Sequence, residues 1–248
     1  MKKEQIILQR IAKGAVSLEE DVVATEQLLE VFVDDSLTFT VSCTPENLQE
    51  FFTGFLFSRG LIESAAEMKS LRTELAKGQI FIERQPVPEQ EICETQQAGS
   101  RKRFWDIEEM LLLAEQIFER PGPLFEETGC AHCCALASEG KILCCFEDIG
   151  RHNALDKAVG FGILHGISLG ETIVYTSGRI SADYVKKLVR AGIHTVISRA
   201  AVTGEAVRLA RENHMQMLGF VRKGNANVYS LFSGTEALFP CDKLNEVI

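Results

Sequence analysis

In the C-terminal part of the chain, short apolar runs alternate with amphipathic stretches of helical length. No other feature restricts the fold more. The runs at 141–146, 172–176, 195–198 and 217–221 have strand length, and helices are expected to start near Asn153, Ser181 and Gly204. Strand–helix units of this size build a mostly parallel sheet with right-handed crossovers. A last strand, 227–232, is expected to return antiparallel after a turn at Gly224. Ligands of open α/β sheets bind beyond the carboxyl ends of the strands, so the turns after these runs are where function is sought.

The N-terminal part reads differently. Residues 28–33 and 36–41 form a hairpin pattern around Asp34-Asp35. Thr44 and Pro45 then suit the cap and first turn of a helix over 48–58, which carries Phe51, Phe52, Phe55, Leu56 and Phe57 and stops at Gly60. Residues 79–83 read as another strand. The polar segments 85–89 and 95–103 read as a linker, with Arg101-Lys102-Arg103 in a solvated loop, before an amphipathic helix over 107–120 that ends at Pro121-Gly122-Pro123. Two domains follow, a smaller α+β unit with its linker at 1–103 and an α/β unit at 104–248.

Three strand ends carry polar clusters: Glu147 to Asn153, Ser177-Gly178-Arg179-Ile180-Ser181, and Ser198-Arg199 with Thr203-Gly204. Helix N-termini beside them attract anions, and Arg151, Arg179 and Arg199 add bidentate donors for phosphate. Ser181 and Thr203 also suit simple helix caps. A basic turn, Arg222-Lys223-Gly224, fits either a phosphate cradle or a solvated hairpin tip.

The formal charge of −9 argues against a general nucleic-acid or anionic-membrane binder. The first residues lack the apolar core of a secretory signal, and no run is long enough to span a bilayer, so a cytoplasmic protein is expected. Eight cysteines stand at 43, 93, 130, 133, 134, 144, 145 and 241. In a reducing compartment they suggest metal, redox or sulfur chemistry rather than disulfides. Cys144 and Cys145 lie in an apolar strand and read as core, as do the isolated Cys43, Cys93 and Cys241. The cluster Cys130-Ala131-His132-Cys133-Cys134 stays open between a buried helix start, a zinc knuckle lacking its partner knuckle, and a reactive thiol beside His132.

The run Glu147-Asp148-Ile149-Gly150-Arg151-His152-Asn153-Ala154-Leu155-Asp156-Lys157, followed by Ser177-Gly178-Arg179-Ile180-Ser181 and by Gly219-Phe220-Val221-Arg222-Lys223-Gly224 with Asn227-Val228-Tyr229, resembles the formate dehydrogenase accessory protein family, FdhD. Thr44-Pro45 and Gly54-Phe55-Leu56 match as well, and the resemblance covers about 28–229. It implies a cytidine-deaminase-like α/β domain beside the smaller α+β domain. Members are sulfurtransferases. They take persulfide sulfur from a cysteine desulfurase and pass it to the molybdenum or tungsten bis-guanine-dinucleotide cofactor of formate dehydrogenase, for which GDP-like nucleotides are mimics. A homodimer is also implied. The family's cofactor contact falls on Phe220, Val221, Arg222, Lys223, Gly224 and Asn225. With these the sequence reading groups Arg151, His152, Ser177, Arg179, His132, Glu147 and Asp148.

The family's Cys-Gly-x-Cys-Gly loop is replaced here by Glu94-Thr95-Gln96-Gln97-Ala98-Gly99-Ser100-Arg101. The acceptor thiol is therefore expected at Cys130 or Cys133, beside His132 and at the start of a helix after Gly129. A cofactor-binding chaperone without sulfur transfer is the alternative, and a metal-binding protein the second. The zinc deaminase signature, His/Cys-x-Glu followed by Pro-Cys-x-x-Cys, does not occur in order, which argues against deamination.

Overall fold

A computed structural model describes residues 2–88, 102–233 and 236–237. The expected linker falls largely in 89–101, and Cys93 and Cys241 also lie outside the described residues.

The chain opens with a hairpin that the sequence reading did not anticipate. Strands β1 (Lys3–Ala12) and β2 (Ala15–Ala24) pair antiparallel over their full length. Lys13 and Gly14 make the turn with positive φ. Both strands are largely exposed, which hides the burial contrast that alternation normally reports.

Strands β3 (Gln27–Val33), β4 (Ser36–Cys43), β5 (Met68–Glu74) and β6 (Gln79–Arg84) form a sheet in the order β4-β3-β6-β5. Asp34 and Asp35 turn the expected hairpin with φ 50 and 64. Helix α1 (Leu48–Ser58) lays Phe51, Phe52, Phe55 and Leu56 onto Leu29, Val31 and Ile80. Each such ring or aliphatic chain contributes about 1.5–3 kcal/mol on burial. Thr44 is not the cap of α1. Asn47 occupies that position with φ 55, and Thr44 is buried elsewhere.

The second sheet has six strands in the order β12-β11-β10-β9-β7-β8. They are β7 (His132–Ser138), β8 (Lys141–Asp148), β9 (Ile173–Thr176), β10 (Thr195–Ser198), β11 (Gln216–Arg222) and β12 (Asn225–Ser230). Helices α4 (Arg151–Leu164), α5 (Ala182–Arg190) and α6 (Gly204–Glu212) cover one face, where Leu155, Tyr184, Leu188 and Ala206 meet Leu136, Val174 and Val196. Helix α2 (Ile107–Phe118) covers the other, with Met110, Leu113 and Ile117 against Ala135, Ile173 and Ile197. A six-residue helix, α3 (Pro123–Thr128), follows it.

The α/β architecture is the one expected, and its parallel part is the centre, β9-β10-β11. The flanks are antiparallel, because β7 inserts between β8 and β9. The sequence reading offered a helix start at this place. His132-Cys133-Cys134-Ala135-Leu136-Ala137 lacks obvious alternation because most of it is buried on both faces.

The two sheets meet where α1 crosses α4. A Cβ on Gly54 would lie 1.9 Å from the Asp156 carbonyl oxygen, and one on Gly160 would lie 1.9 Å from that of Glu50. Only glycine lets these backbones approach so closely. Around the crossing, Ser58 Oγ donates to Asp156 Oδ1 at 2.9 Å, and Lys187 pairs with the other carboxylate oxygen.

Candidate functional site

The C-terminal ends of β8, β9, β10 and β11 and the start of β7 share one edge of the large sheet. Polar residues crowd this edge as the sequence predicted, and the fold divides them between two tasks.

The first task is the joint between the sheets. Asp148 and Lys157 are fully buried and ion-paired at 2.8 Å. Asp148 also accepts hydrogen bonds from the amides of Thr44 and Gly150, at 3.2 and 2.9 Å, and from Asn153 Nδ2 at 2.9 Å. Lys157 Nζ donates to the carbonyls of Glu147 and Thr44 at 3.0 and 3.3 Å. A buried pair is tolerable when its remaining donors and acceptors are met in this way. Glu147 is also engaged: its carboxylate accepts from the amides of Leu124 and Phe125, at 2.9 and 2.8 Å, at the N-terminus of α3. The expectation that Glu147 and Asp148 face a ligand is corrected accordingly. Both carboxylates hold the scaffold.

The second task is a cleft of about 540 Å³. Its walls come from Phe118 at the end of α2, Phe125 on α3, the segment Gly129 to Cys133, Tyr175 and Ser177 on and after β9, and Arg199 and Arg222. Arg199 lies 4.2 Å over the ring of Phe118. Among the described residues neither Arg199 nor Arg222 forms an ion pair. Nearby, Arg151 has a buried Nε without a partner. Gly178 makes room for that side chain, since a Cβ there would sit 2.7 Å from the Arg151 Cβ.

His132 lines the cleft, with Nδ1 3.4 Å from Ser177 Oγ. Its pKa is lowered by burial, then by the charges of Arg151 and Arg179. His152 lies 3.4 Å from Ser181 Oγ and packs against Tyr184. Burial, then Arg151, lowers its pKa to about 4, keeping the ring neutral near pH 7. Ser181 makes no cap hydrogen bond, whereas Thr203 caps α6 by accepting from Ala206 N at 3.3 Å.

In the turn 220–225 the structure brings only Arg222 to the cleft. Val221 points into the core under α2. Lys223 and Gly224 form the hairpin tip with positive φ, and Asn225 Nδ2 donates to the Lys223 carbonyl at 3.1 Å. Phe220 has φ 54, unusual for an aromatic residue, and is 42 % exposed. It sits in the β-bulge between Gly219 and Arg222, which re-aims the arginine.

Gly129 is the C-cap of α3, with φ 65, not the start of a helix. Cys130 and Cys133 therefore follow a helix C-terminus rather than opening a helix, contrary to expectation. Strand alternation puts Cys133 on the α2 face and Cys134 on the opposite one. Cys134 thus points away from Cys130, His132 and Cys133, and no cluster of three metal-ligating side chains occurs among the described residues. Cys134 and Cys144 share the buried face, and burial raises both thiols, Cys144 to about 12. Cys145, read as core from the sequence, is exposed.

Residues 24–234 match the FdhD/NarQ family. The chain belongs to that family. Among FdhD relatives, the sulfur carrier protein FdhD of Bacillus subtilis (strain 168) is 32% identical, the match covering 89% of this chain and 93% of that one. Protein FdhD of Methanocaldococcus jannaschii is 32% identical, with 85% and 89% covered. A crystal structure described as a putative formate dehydrogenase accessory protein from Desulfotalea psychrophila superposes with a TM-score of 0.78 at 26% identity, covering 92% of this chain and 96% of that chain. The FdhD resemblance read from the motifs over about 28–229 is thus established, within the matched residues 24–234. The aromatic walls, Phe118, Phe125 and Tyr175, were missed from sequence. Only the position of Tyr175, two residues before Ser177-Gly178-Arg179, signalled it.

Proposed function

We propose that this protein carries sulfur in the maturation of formate dehydrogenase, and that its cleft receives the guanine-dinucleotide form of the molybdenum cofactor as substrate. The reading rests on family membership and on one observation: the cleft combines two arginines without acid partners among the described residues, aromatic walls and two thiols, Cys130 and Cys133. A guanine dinucleotide has a pyrophosphate that suits the arginines and a purine that suits the rings. Arg199 and Arg222 would hold the phosphates. Phe118, Phe125 and Tyr175 would pack the base. The sulfur would come from a cysteine desulfurase, in a cytoplasmic homodimer.

GDP is the accessible probe. Isothermal titration should show saturable binding of GDP, weaker for ADP, and reduced by Arg199→Ala. Absence of GDP binding to the folded wild-type chain would remove the cofactor reading.

A further inference from the structure

The strand register brings together two cysteines that are twelve residues apart in sequence. Cys133 stands opposite Glu147 in the β7–β8 ladder, and Ala135 stands opposite Cys145. Cys133 and Cys145 are therefore diagonal neighbours on one face of the sheet. That face is the one carrying the cleft, and Cys133 lines it. Cys145 lies on the edge strand and is exposed.

We propose that Cys133 is the sulfur-accepting residue of this protein and that Cys145 is its positioning residue, donating a hydrogen bond from its thiol to the Cys133 sulfur. The assignment deepens the sulfur-carrier reading and rests on it.

Every group packed around Cys133 fits this division of roles. Cys145 is its diagonal neighbour on the same face, and Ser177, just after the neighbouring strand β9, lines the same cleft. The backbone is pinned in both directions: Cys133 N donates to Ser177 Oγ at 2.9 Å, and Ser177 N donates to the Cys133 carbonyl at 3.0 Å. The opposing charge is Glu147, whose carboxylate is already bound by the two α3 amides. Tyr175 also feels both thiols, and Arg199 beyond it. The balance lowers the Cys133 pKa, chiefly through the Cys145 hydrogen bond, and the same bond raises Cys145. A thiolate is the form that attacks a sulfur donor.

The loading step is balanced with a persulfide donor. The Cys133 thiolate attacks the outer sulfur of the donor persulfide, R–S–SH. The new bond is Cys133 Sγ–S, the donor S–S bond breaks, and RS⁻ leaves with the bonding pair. One proton stays on the transferred sulfur, so no external oxidant or reductant is needed.

The register also limits what Cys145 can do. Diagonal pairs lie about 7–8 Å apart at Cα, beyond the reach of an unstrained disulfide. Attack of Cys145 on a loaded Cys133, which would expel HS⁻ and form a disulfide, is therefore disfavoured. The pair activates the thiol without discharging it.

The test uses the full chain, its C133S, C145A and C145S variants, and inorganic polysulfide as sulfur donor, with thermal melting as a folding control. Thiolate absorbance against pH should show an early-titrating thiol in wild type, absent in C133S. It should move up by about one pH unit, tenfold in thiolate fraction, in C145A. C145S should restore part of the shift, because a hydroxyl also donates. Peptide mass spectrometry should place one added sulfur on Cys133 in wild type, at a lower rate in C145A. An unchanged titration in C145A overturns the role of Cys145. Sulfur loaded onto Cys130, or a Cys133–Cys145 disulfide as the product, overturns the assignment. GDP titration on the same samples separates the two ideas: binding with no early-titrating thiol defeats this inference alone, and loading without nucleotide binding defeats the cofactor reading alone.

Discussion

The joint and the cleft are built from the same residue types and lie on the same sheet edge, yet they differ in who satisfies their charges. In the joint, Asp148 and Lys157 meet each other and five further groups, with no exposure left. In the cleft, Arg199 and Arg222 have no acid partner among the described residues, and nearby the buried Arg151 Nε meets no partner among them. A charge with a protein partner holds the fold. A charge without one is available to a ligand. The chain is acidic overall, so acids are abundant, yet none of those described pairs with these two arginines.

That contrast can be broken most sharply at the joint. Lys157→Met should cost about 3–5 kcal/mol in urea unfolding, because it strands Asp148 in the interior. Combining it with Asp148→Asn should recover much of the loss, since replacing both members of a buried pair is milder than removing one. A single substitution that left stability unchanged would dissolve the distinction between the two regions.

At the helix crossing, Gly54→Ala or Gly160→Ala should destabilise by about 1–3 kcal/mol or more. The methyl group meets a backbone carbonyl rather than a side chain that can swing away. The urea midpoint reads this directly.

In the cleft the expected pattern is the reverse. Arg222→Ala should weaken GDP binding by about 1.5–3 kcal/mol, the range for a charge-assisted hydrogen bond. Its melting temperature should stay near wild type, with stability within about 0.5 kcal/mol. A large drop in melting temperature would move Arg222 into the joint's class.

The smallest effect concerns pH. His152 and His194 both have pKa values lowered from 6.5 to about 4, by burial first, then by Arg151 for His152 and Lys102 for His194. Below pH 6.5 the unfolded chain binds protons that the folded chain refuses, so stability falls as pH drops from about 6.5 towards 4. His152→Gln should flatten part of that decline in a melting series. An unchanged slope would show that the ring is not held neutral by its surroundings.

The sequence disclosed much of this fold because α4, α5 and α6 and strands β8 to β12 announce themselves by period and by Gly and capping residues. It concealed β7, since a strand buried on both faces loses the alternation that identifies it. It concealed β1 and β2 for the opposite reason: Ile7, Ile11, Val16 and Leu18 are all more than 60 % exposed, so apolar character there does not mark a core. The site was legible as an edge and illegible as an assignment. Residues 147–157 read as a single functional run, and only tertiary structure shows that Asp148, Asn153 and Lys157 turn into the joint while the Arg151 side chain packs against Gly178. The pairing of Cys133 with Cys145 depended wholly on register, which no local pattern encodes.

Glu147 and Asp148 are consecutive residues on an edge strand, and their side chains point to opposite sides of it. One grips the short helix that forms a wall of the cleft, and the other sits at the centre of the joint. The strand end thus behaves as a rocker with a weight on each arm. A single strand end therefore fixes both the seat of α3 at the wall of the cleft and the packing of the small sheet on the large one.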